Sequence, residues 1–140
     1  MTPADRLAGL AGRWRTLRVL RHGDGTRARF LGVSTWAPDG TVLRCTEAGT
    51  LEQAGRRYEA HRVTLWRATV QGVEVLFADG RPFHRLPVPG DRAVVRHDCA
   101  PDVYDIAYDF RARSRWTLRW RVRGPRKDYR ALTRYLRISP

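Results

Sequence analysis

The feature that most constrains the fold of this chain is a strict two-residue rhythm at residues 115–123. Four large apolar side chains there alternate with arginine or threonine. Such alternation is typical of a β-strand that buries one face and exposes the other to water. The preceding segment repeats the rhythm with Tyr104, Ile106, Tyr108 and Phe110. Residues 111–114 separate the two runs and predict the turn of an antiparallel hairpin.

Turn-forming residues divide the rest of the chain into eight further runs with strand character. We predict strands near residues 13–21, 27–36, 41–51, 57–68, 73–78, 82–86, 93–99 and 127–138. Short connections make consecutive strands antiparallel neighbours. Half-buried strands need a partner surface, which either a sandwich or a closed barrel provides. We predict a mainly β fold, an antiparallel up-and-down β-barrel of about 8–10 strands.

One short helix is predicted before the first strand. Thr2-Pro3-Ala4-Asp5 combines a capping hydroxyl, a proline in the first turn and an early acid, which together indicate a helix start. The helix is expected to run to about Leu10 and to end at Gly12. A chain of 140 residues without repeats or linkers predicts one domain, residues 1–140.

The net charge of +13 has two explanations. A nucleic acid or an anionic membrane would attract such a chain. However, Lys127 is the only lysine, and the arginines are spread along the whole sequence, which also fits a GC-rich genome. No apolar run reaches the roughly 20 residues that span a bilayer, and Met1–Gly12 lacks a signal-peptide core. With only Cys45 and Cys99, we expect a cytoplasmic protein; its oligomeric state stays open.

Three short motifs resemble those of calycin barrels, the group that includes lipocalins. Gly12-Arg13-Trp14 resembles the Gly-x-Trp that opens the first lipocalin strand. Pro101-Asp102-Val103-Tyr104, followed by Tyr108, resembles a loose form of the lipocalin Thr-Asp-Tyr segment. The third is Arg134 or Arg137, late in the last predicted strand, which resembles the arginine that closes a lipocalin barrel over that tryptophan. The resemblance implies a ligand-binding barrel.

A second resemblance covers most of the chain. Residues 77–84, 97–104 and 120–129 are similar to an uncharacterised family of small bacterial proteins, a domain of unknown function. The resemblance implies a stand-alone bacterial protein of the cytosol. The family carries no known activity, so the resemblance assigns no catalytic residue.

The most promising site combines His84, His97 and Cys99. Residues 97 and 99 share a face of a strand, and a hairpin centred on Pro89-Gly90 would bring position 84 opposite 95. Imidazole and thiol groups in one pocket could bind a polar ligand or act in catalysis. They could also continue a buried face without a function. Together with a carboxylate they could bind zinc, copper or iron, but His-x-Cys is not a recognised metal signature, so we assign no metal.

Further ligand-binding candidates follow in the next strands. Asp102 and Tyr104 begin one strand and could approach the histidines. Lys127 could anchor an anionic group or simply lie in a solvated turn. The aromatic residues Tyr108, Trp116 and Trp120 could line a lumen or fill a core. Glu47 would need a basic partner such as Arg62 if its face is interior.

Three functions remain open at this stage. The first is an intracellular small-molecule-binding barrel with an aromatic-lined cavity and a His/Cys/Tyr cluster. The second is a cofactor-free isomerase, cyclase or hydrolase in which His84 or His97 moves a proton and Tyr104 or Lys127 stabilises negative charge. The third is a basic nucleic-acid-associated module. No phosphate-binding or dinucleotide motif occurs, so the sequence requires no cofactor, and whether the protein is an enzyme stays undecided.

Overall fold

The computed structural model describes residues 1–112 and 114–139, which contain one helix and ten strands. They follow one another as α1 (Pro3–Leu10), β1 (Gly12–His22), β2 (Arg27–Asp39), β3 (Val42–Gln53), β4 (Arg56–Thr69), β5 (Gly72–Phe77), β6 (Pro82–Leu86), β7 (Arg92–Cys99), β8 (Asp102–Asp109), β9 (Arg115–Arg123) and β10 (Asp128–Ser139). The turn predicted at 111–114 includes Arg113, which lies outside the described residues.

The ten strands form one antiparallel sheet in the order β6-β5-β4-β3-β2-β1-β10-β9-β8-β7. Every neighbouring pair except β1 and β10 is also consecutive in the chain. The sheet curls into a nearly closed up-and-down barrel, and β6 and β7 are its two edges. The predicted mainly β barrel with a short N-terminal helix is therefore confirmed.

The alternation in the sequence becomes the inside and outside of the barrel. On β9, Trp116, Leu118 and Val122 are buried, whereas Arg115, Arg119 and Arg123 are exposed. The apolar groups leave water, and the guanidinium groups keep their hydration. The predicted orientation of this strand is confirmed.

Helix α1 covers one end of the barrel, here called the helix end. Thr2 and Asp5 cap its first turn reciprocally, as a capping box. Arg6 donates to the Gly90 carbonyl (2.9 Å) and to Asp91 (3.0 Å), and its guanidinium lies 4.2 Å from the centre of the Phe110 ring. These contacts hold the helix against the loop before β7. The opposite end is here called the far end.

Large rings fill the helix end. Trp116 stacks on Tyr135 with 4.0 Å between ring centroids, and Trp36 meets Trp66 edge to face at 5.6 Å. All four side chains are buried. Trp116, predicted as a possible cavity-lining residue, therefore packs in this half.

Arg137 closes the helix end over Trp14. Its guanidinium lies 4.0 Å from the centre of the Trp14 ring, and it donates to the carbonyls of Gly9 and Ala11 at 2.6 Å each. Arg134, the other candidate from the sequence, is exposed. The structure thus selects Arg137 as the calycin-like closing arginine.

Replacing Arg137 with alanine is expected to lower the free energy of unfolding by about 1–3 kcal/mol, because a cation–π contact and two charge-assisted hydrogen bonds disappear. Urea denaturation measures the change. Arg134→Ala on the same strand is the matched control and should stay within about 0.5 kcal/mol. Equal effects of the two substitutions would contradict a closing role for Arg137.

Candidate functional site

A buried carboxylate lies in the middle of the barrel wall. Glu47 on β3 is only 3% exposed. It accepts hydrogen bonds from Arg18 (2.9 and 3.1 Å), Ser34 (3.1 Å) and Tyr135 (2.8 Å), and it forms an ion pair with Arg62 (3.0 Å). The partner predicted from the sequence, Arg62, is present. Arg18 was missed, although it follows the inward-facing Thr16 by two positions.

The charges around Glu47 keep it ionised. Burial by itself would raise the pKa of Glu47, but Arg62 and Arg18, helped by the Tyr135 hydroxyl, lower that pKa to about 2. Burial and the neighbouring carboxylate raise the pKa of Tyr135 well above its ordinary value. At neutral pH the group therefore contains two guanidinium ions, one carboxylate and a neutral phenol.

A second group of side chains meets closer to the far end, around Phe83. The Phe83 ring lies 4.5 Å from His84, 5.2 Å from His97, 5.3 Å from Trp120 and 5.7 Å from Tyr104, measured between ring centroids. Arg62 lies above Trp120, with its guanidinium carbon 5.2 Å from the ring centre. We call these six residues the far-end cluster: Arg62, Phe83, His84, His97, Tyr104 and Trp120.

The far-end cluster spans the seam between β6 and β7. No hydrogen-bonded ladder joins these two strands in the part of the chain that is described, so the predicted pairing of positions 84 and 95 is wrong. Instead, β6 carries a bulge: Val75 pairs with His84 and Leu76 with Pro82, which leaves Phe83 as an extra residue. A bulge allows two successive side chains to lean to one side of a strand. Phe83 thereby reaches ring contact with both His84 and His97.

His84 is partly buried and uncharged at neutral pH. Its Nε2 is 2.5 Å from the hydroxyl of Tyr108. Burial, with smaller contributions from the charges of His97 and Arg62, lowers the pKa of His84 to about 3. Burial also raises the pKa of Tyr108. The pair therefore shares a hydrogen bond between two uncharged groups at neutral pH.

Four members of the far-end cluster contain a buried polar atom that has no hydrogen-bond partner among the described residues. The atoms are Arg62 Nε, His84 Nδ1, His97 Nε2 and Trp120 Nε1. Three further atoms of this kind, Arg6 Nε, Trp36 Nε1 and Trp116 Nε1, belong to the helix end. A buried polar atom without a partner costs free energy, so such a concentration requires an explanation.

Lys127 and Asp102 lie at the rim of the far end. Lys127 Nζ donates to the Tyr104 hydroxyl at 3.2 Å and pairs with Asp102 at 3.3 Å. The two charges at the rim therefore compensate each other. Lys127 is mostly solvated, in accord with its turn position.

The structure brings together only part of the residue set proposed from the sequence. His84, His97, Tyr104 and Trp120 meet in the far-end cluster, and Tyr108 joins them through His84. Cys99, by contrast, is exposed at the end of β7. Within residues 1–112 and 114–139, no three His, Cys, Asp or Glu side chains are grouped so that they could hold a metal ion.

Sequence reasoning missed Phe83 and gave Arg62 only a structural role. The sequence pattern did not place Phe83 in the site, because strict alternation assigns it to the face opposite His84. The inward direction of Arg62 could have been inferred from the sequence, since it shares its face of β4 with the buried residues Thr64 and Trp66.

The closing Arg137–Trp14 contact and the nearly closed ten-stranded barrel define a calycin-like barrel. The solved structure of the S-type phycobiliprotein lyase CPES from Guillardia theta has the same fold, with a TM-score of 0.73 at 10% sequence identity; the match covers 100% of this chain and 94% of the lyase chain. A redesigned beta barrel matches with a TM-score of 0.47 at 11% identity over 99% of this chain and 98% of its own. That second likeness is too distant to support an argument.

The family of unknown function DUF6314 matches residues 10–137, and this chain belongs to that family. No curated protein sequence matches the chain. In the described part of the chain, no helix has the length and apolarity needed to cross a membrane.

The ring protons of His84 should not shift in NMR spectra between about pH 8 and pH 5, because an exposed histidine protonates in this range whereas the lowered pKa of His84, about 3, keeps it neutral. A His84→Gln variant assigns the resonance. A midpoint near the ordinary value of 6.5 would contradict the buried, neutral state.

Replacing Glu47 with glutamine is expected to lower the free energy of unfolding by about 3–5 kcal/mol at neutral pH, because Arg18 and Arg62 lose their counter-ion. The folded-state pKa of Glu47, about 2, lies below its ordinary value of 4.5. The stability that the carboxylate contributes is therefore complete above pH 4.5 and is lost as the pH falls towards 2.

The difference between wild type and Glu47→Gln should accordingly shrink by about 2 kcal/mol when urea unfolding is measured near pH 3. Glu59→Gln, at an exposed position of β4, is the control and should change stability little at either pH. A difference that does not depend on pH would show that the Glu47 charge is not what stabilises the fold.

Proposed function

We propose that this protein binds a small molecule with a flat, largely apolar body and at least one hydrogen-bond-accepting oxygen. The observation that carries the proposal is the set of four buried, unpartnered polar atoms on aromatic and basic side chains of the far-end cluster. A ligand held there would satisfy these atoms. Ligand sites in proteins commonly combine apolar walls with a few convergent polar groups.

The aromatic side chains favour a planar ligand. Phe83 meets the rings of Tyr104 and Trp120 edge to face, with interplanar angles of 85° and 73°. Rings at right angles leave flat faces against which a conjugated system could stack. The fold supports this ligand class, since a phycobiliprotein lyase uses the same kind of barrel.

The unpartnered atoms favour a ligand with acceptor oxygens. Arg62 Nε and Trp120 Nε1 each carry a hydrogen and can only donate. Neutral His84 carries one ring hydrogen, which is available at Nδ1 when Tyr108 donates to Nε2. A carbonyl or carboxylate oxygen is the complement of such donors.

Solvent reaches the inner face at this level of the barrel. Arg62 shares its face of β4 with the buried Thr64 and Trp66, yet 40% of its side chain is exposed. Tyr58, four residues before Arg62 on the same face, is 47% exposed. These exposures support entry of a ligand from the far end.

Binding is favoured over proton transfer by His84 and over nucleic-acid association. With a pKa of about 3, His84 is a weak base at neutral pH. Tyr58 is the only aromatic residue among the exposed large hydrophobic side chains of the described part, whereas stacking on nucleic-acid bases requires exposed rings. Both cysteines are free, which supports a reducing compartment such as the cytoplasm.

The uncharged naphthalene ketone prodan, whose emission shifts to the blue in apolar surroundings, is a suitable probe because it is flat and carries one carbonyl oxygen. We expect wild-type protein to bind prodan. Ala60→Trp places a large ring on the inner face of β4 and should abolish binding, whereas Ala48→Trp makes the same change at an exposed position of β3 and should not.

His97→Leu should weaken prodan binding about tenfold because the unpartnered ring nitrogen Nε2 is lost, and His61→Leu, at an exposed position, should leave it unchanged. Circular dichroism and urea unfolding confirm that each variant is folded. Binding that survives in Ala60→Trp, or that is lost equally in Ala48→Trp, would overturn the proposed location of the site.

A further inference from the structure

Three ionised side chains in the middle of the barrel do not balance in charge. Arg18 and Arg62 are positive, and Glu47 is the carboxylate that pairs with both. Arginine stays protonated in proteins, so the group carries one excess positive charge at neutral pH. Nearby Tyr135 and Cys45 do not compensate it, since burial raises the pKa of both groups and keeps them neutral.

Arg18 is engaged within the wall through its Nε and Nη2 atoms. Its Nη2 contacts both oxygens of Glu47, and its Nε donates to Thr133 at 2.8 Å. Only 14% of its side chain is exposed. Arg18 therefore neutralises Glu47 and has little capacity for any further partner.

Arg62 is engaged on one side only. Its Nη2 reaches Glu47 at 3.0 Å, whereas its Nε is buried without a partner. Its guanidinium lies over Trp120, and 40% of the side chain remains exposed. The excess positive charge therefore lies on Arg62, beside the aromatic rings of the far-end cluster.

The other charged groups of the far end leave this charge uncompensated. Lys127 and Asp102 pair with each other at the rim. Asp105, the other acid in this part of β8, is engaged outside the barrel with Arg96 and Arg123. His84 is neutral. An anionic ligand would compensate the excess positive charge.

We propose that the ligand is a planar monocarboxylic acid whose carboxylate pairs with Arg62 and accepts from its Nε–H. This inference rests on the proposed function, since it names the class of molecule bound at the far-end cluster. Charge-assisted hydrogen bonds in a partly buried site are stronger than neutral ones, and they are screened less by salt than exposed pairs.

Glu47 acts in this proposal as a positioning residue. By holding Nη2 of Arg62, it keeps the guanidinium over Trp120 before a ligand arrives. Fixing a long side chain in advance reduces the entropy lost on binding. The carboxylate of Glu47 itself does not touch the ligand.

The test measures how well 2-naphthoate and its uncharged methyl ester displace prodan from the protein at neutral pH in about 0.3 M NaCl. The two competitors share one ring system and differ in charge. We expect the acid to displace prodan at a concentration about tenfold lower than the ester does.

Arg62→Met should abolish the preference for the acid: the ester loses one neutral hydrogen bond from Nε–H, whereas the acid loses an ion pair as well, so the affinity for the acid should fall about tenfold further than that for the ester. Arg67→Met on the same strand is the matched control: Arg67 is exposed and pairs with Glu74, so its loss changes the net charge equally while leaving the preference intact. Arg62→Lys, which retains the charge without the planar fork, should keep part of the preference and serves if Arg62→Met does not fold.

The outcomes separate the two proposals. Failure of wild-type protein to bind prodan would overturn the proposed function. Prodan binding with equal displacement by acid and ester would overturn the carboxylate inference and leave the proposed function standing. A preference lost equally in Arg62→Met and Arg67→Met would show attraction by the overall positive charge, which also overturns the inference.

Discussion

The architecture depends on a carboxylate that is held away from water. A charge in the interior is tolerated only when other groups compensate it, and the partners of Glu47 come from four other strands: Arg18 of β1, Ser34 of β2, Arg62 of β4 and Tyr135 of β10. In the sheet order, these strands lie opposite the β6–β7 seam. Glu47 and its partners thus link five neighbouring strands on the side of the barrel opposite the seam.

Glu47 and its two arginine partners lie between two regions of the interior that contain different kinds of side chain. Towards α1, tryptophan and tyrosine rings pack directly on one another, as Trp116 does on Tyr135. Towards the far end, the inner face contains Arg62 and two histidines, and part of it reaches solvent. Glu47 connects the two regions, because it is bound to Tyr135 on one side and to Arg62 on the other. Our proposals assign stability to the first region and ligand recognition to the second.

The β6–β7 seam is where local pattern and tertiary structure diverge. Periodicity predicted both strands, and it suggested a hairpin between them because a proline-glycine turn follows β6. Instead, β6 and β7 remain the edges of the sheet, and side chains rather than backbone hydrogen bonds bring them together at Phe83. The bulge beside Val75 makes this contact possible. A bulge changes which side chains face the interior beyond it, and the alternation of apolar residues in the sequence does not reveal where it occurs.

The sequence by itself determined the strands, the capped helix and the inward direction of most aromatic residues, since these follow from a two-residue period and from local capping chemistry. It also proposed His84, His97 and Tyr104 for one site and listed Trp120 in a separate aromatic set. Only the tertiary structure decided that Arg137 rather than Arg134 closes the barrel, that Arg18 shares Glu47 with Arg62, and that Cys99 stays outside. These outcomes depend on register between strands far apart in the chain, and a shift of one residue reverses which side chains face the interior.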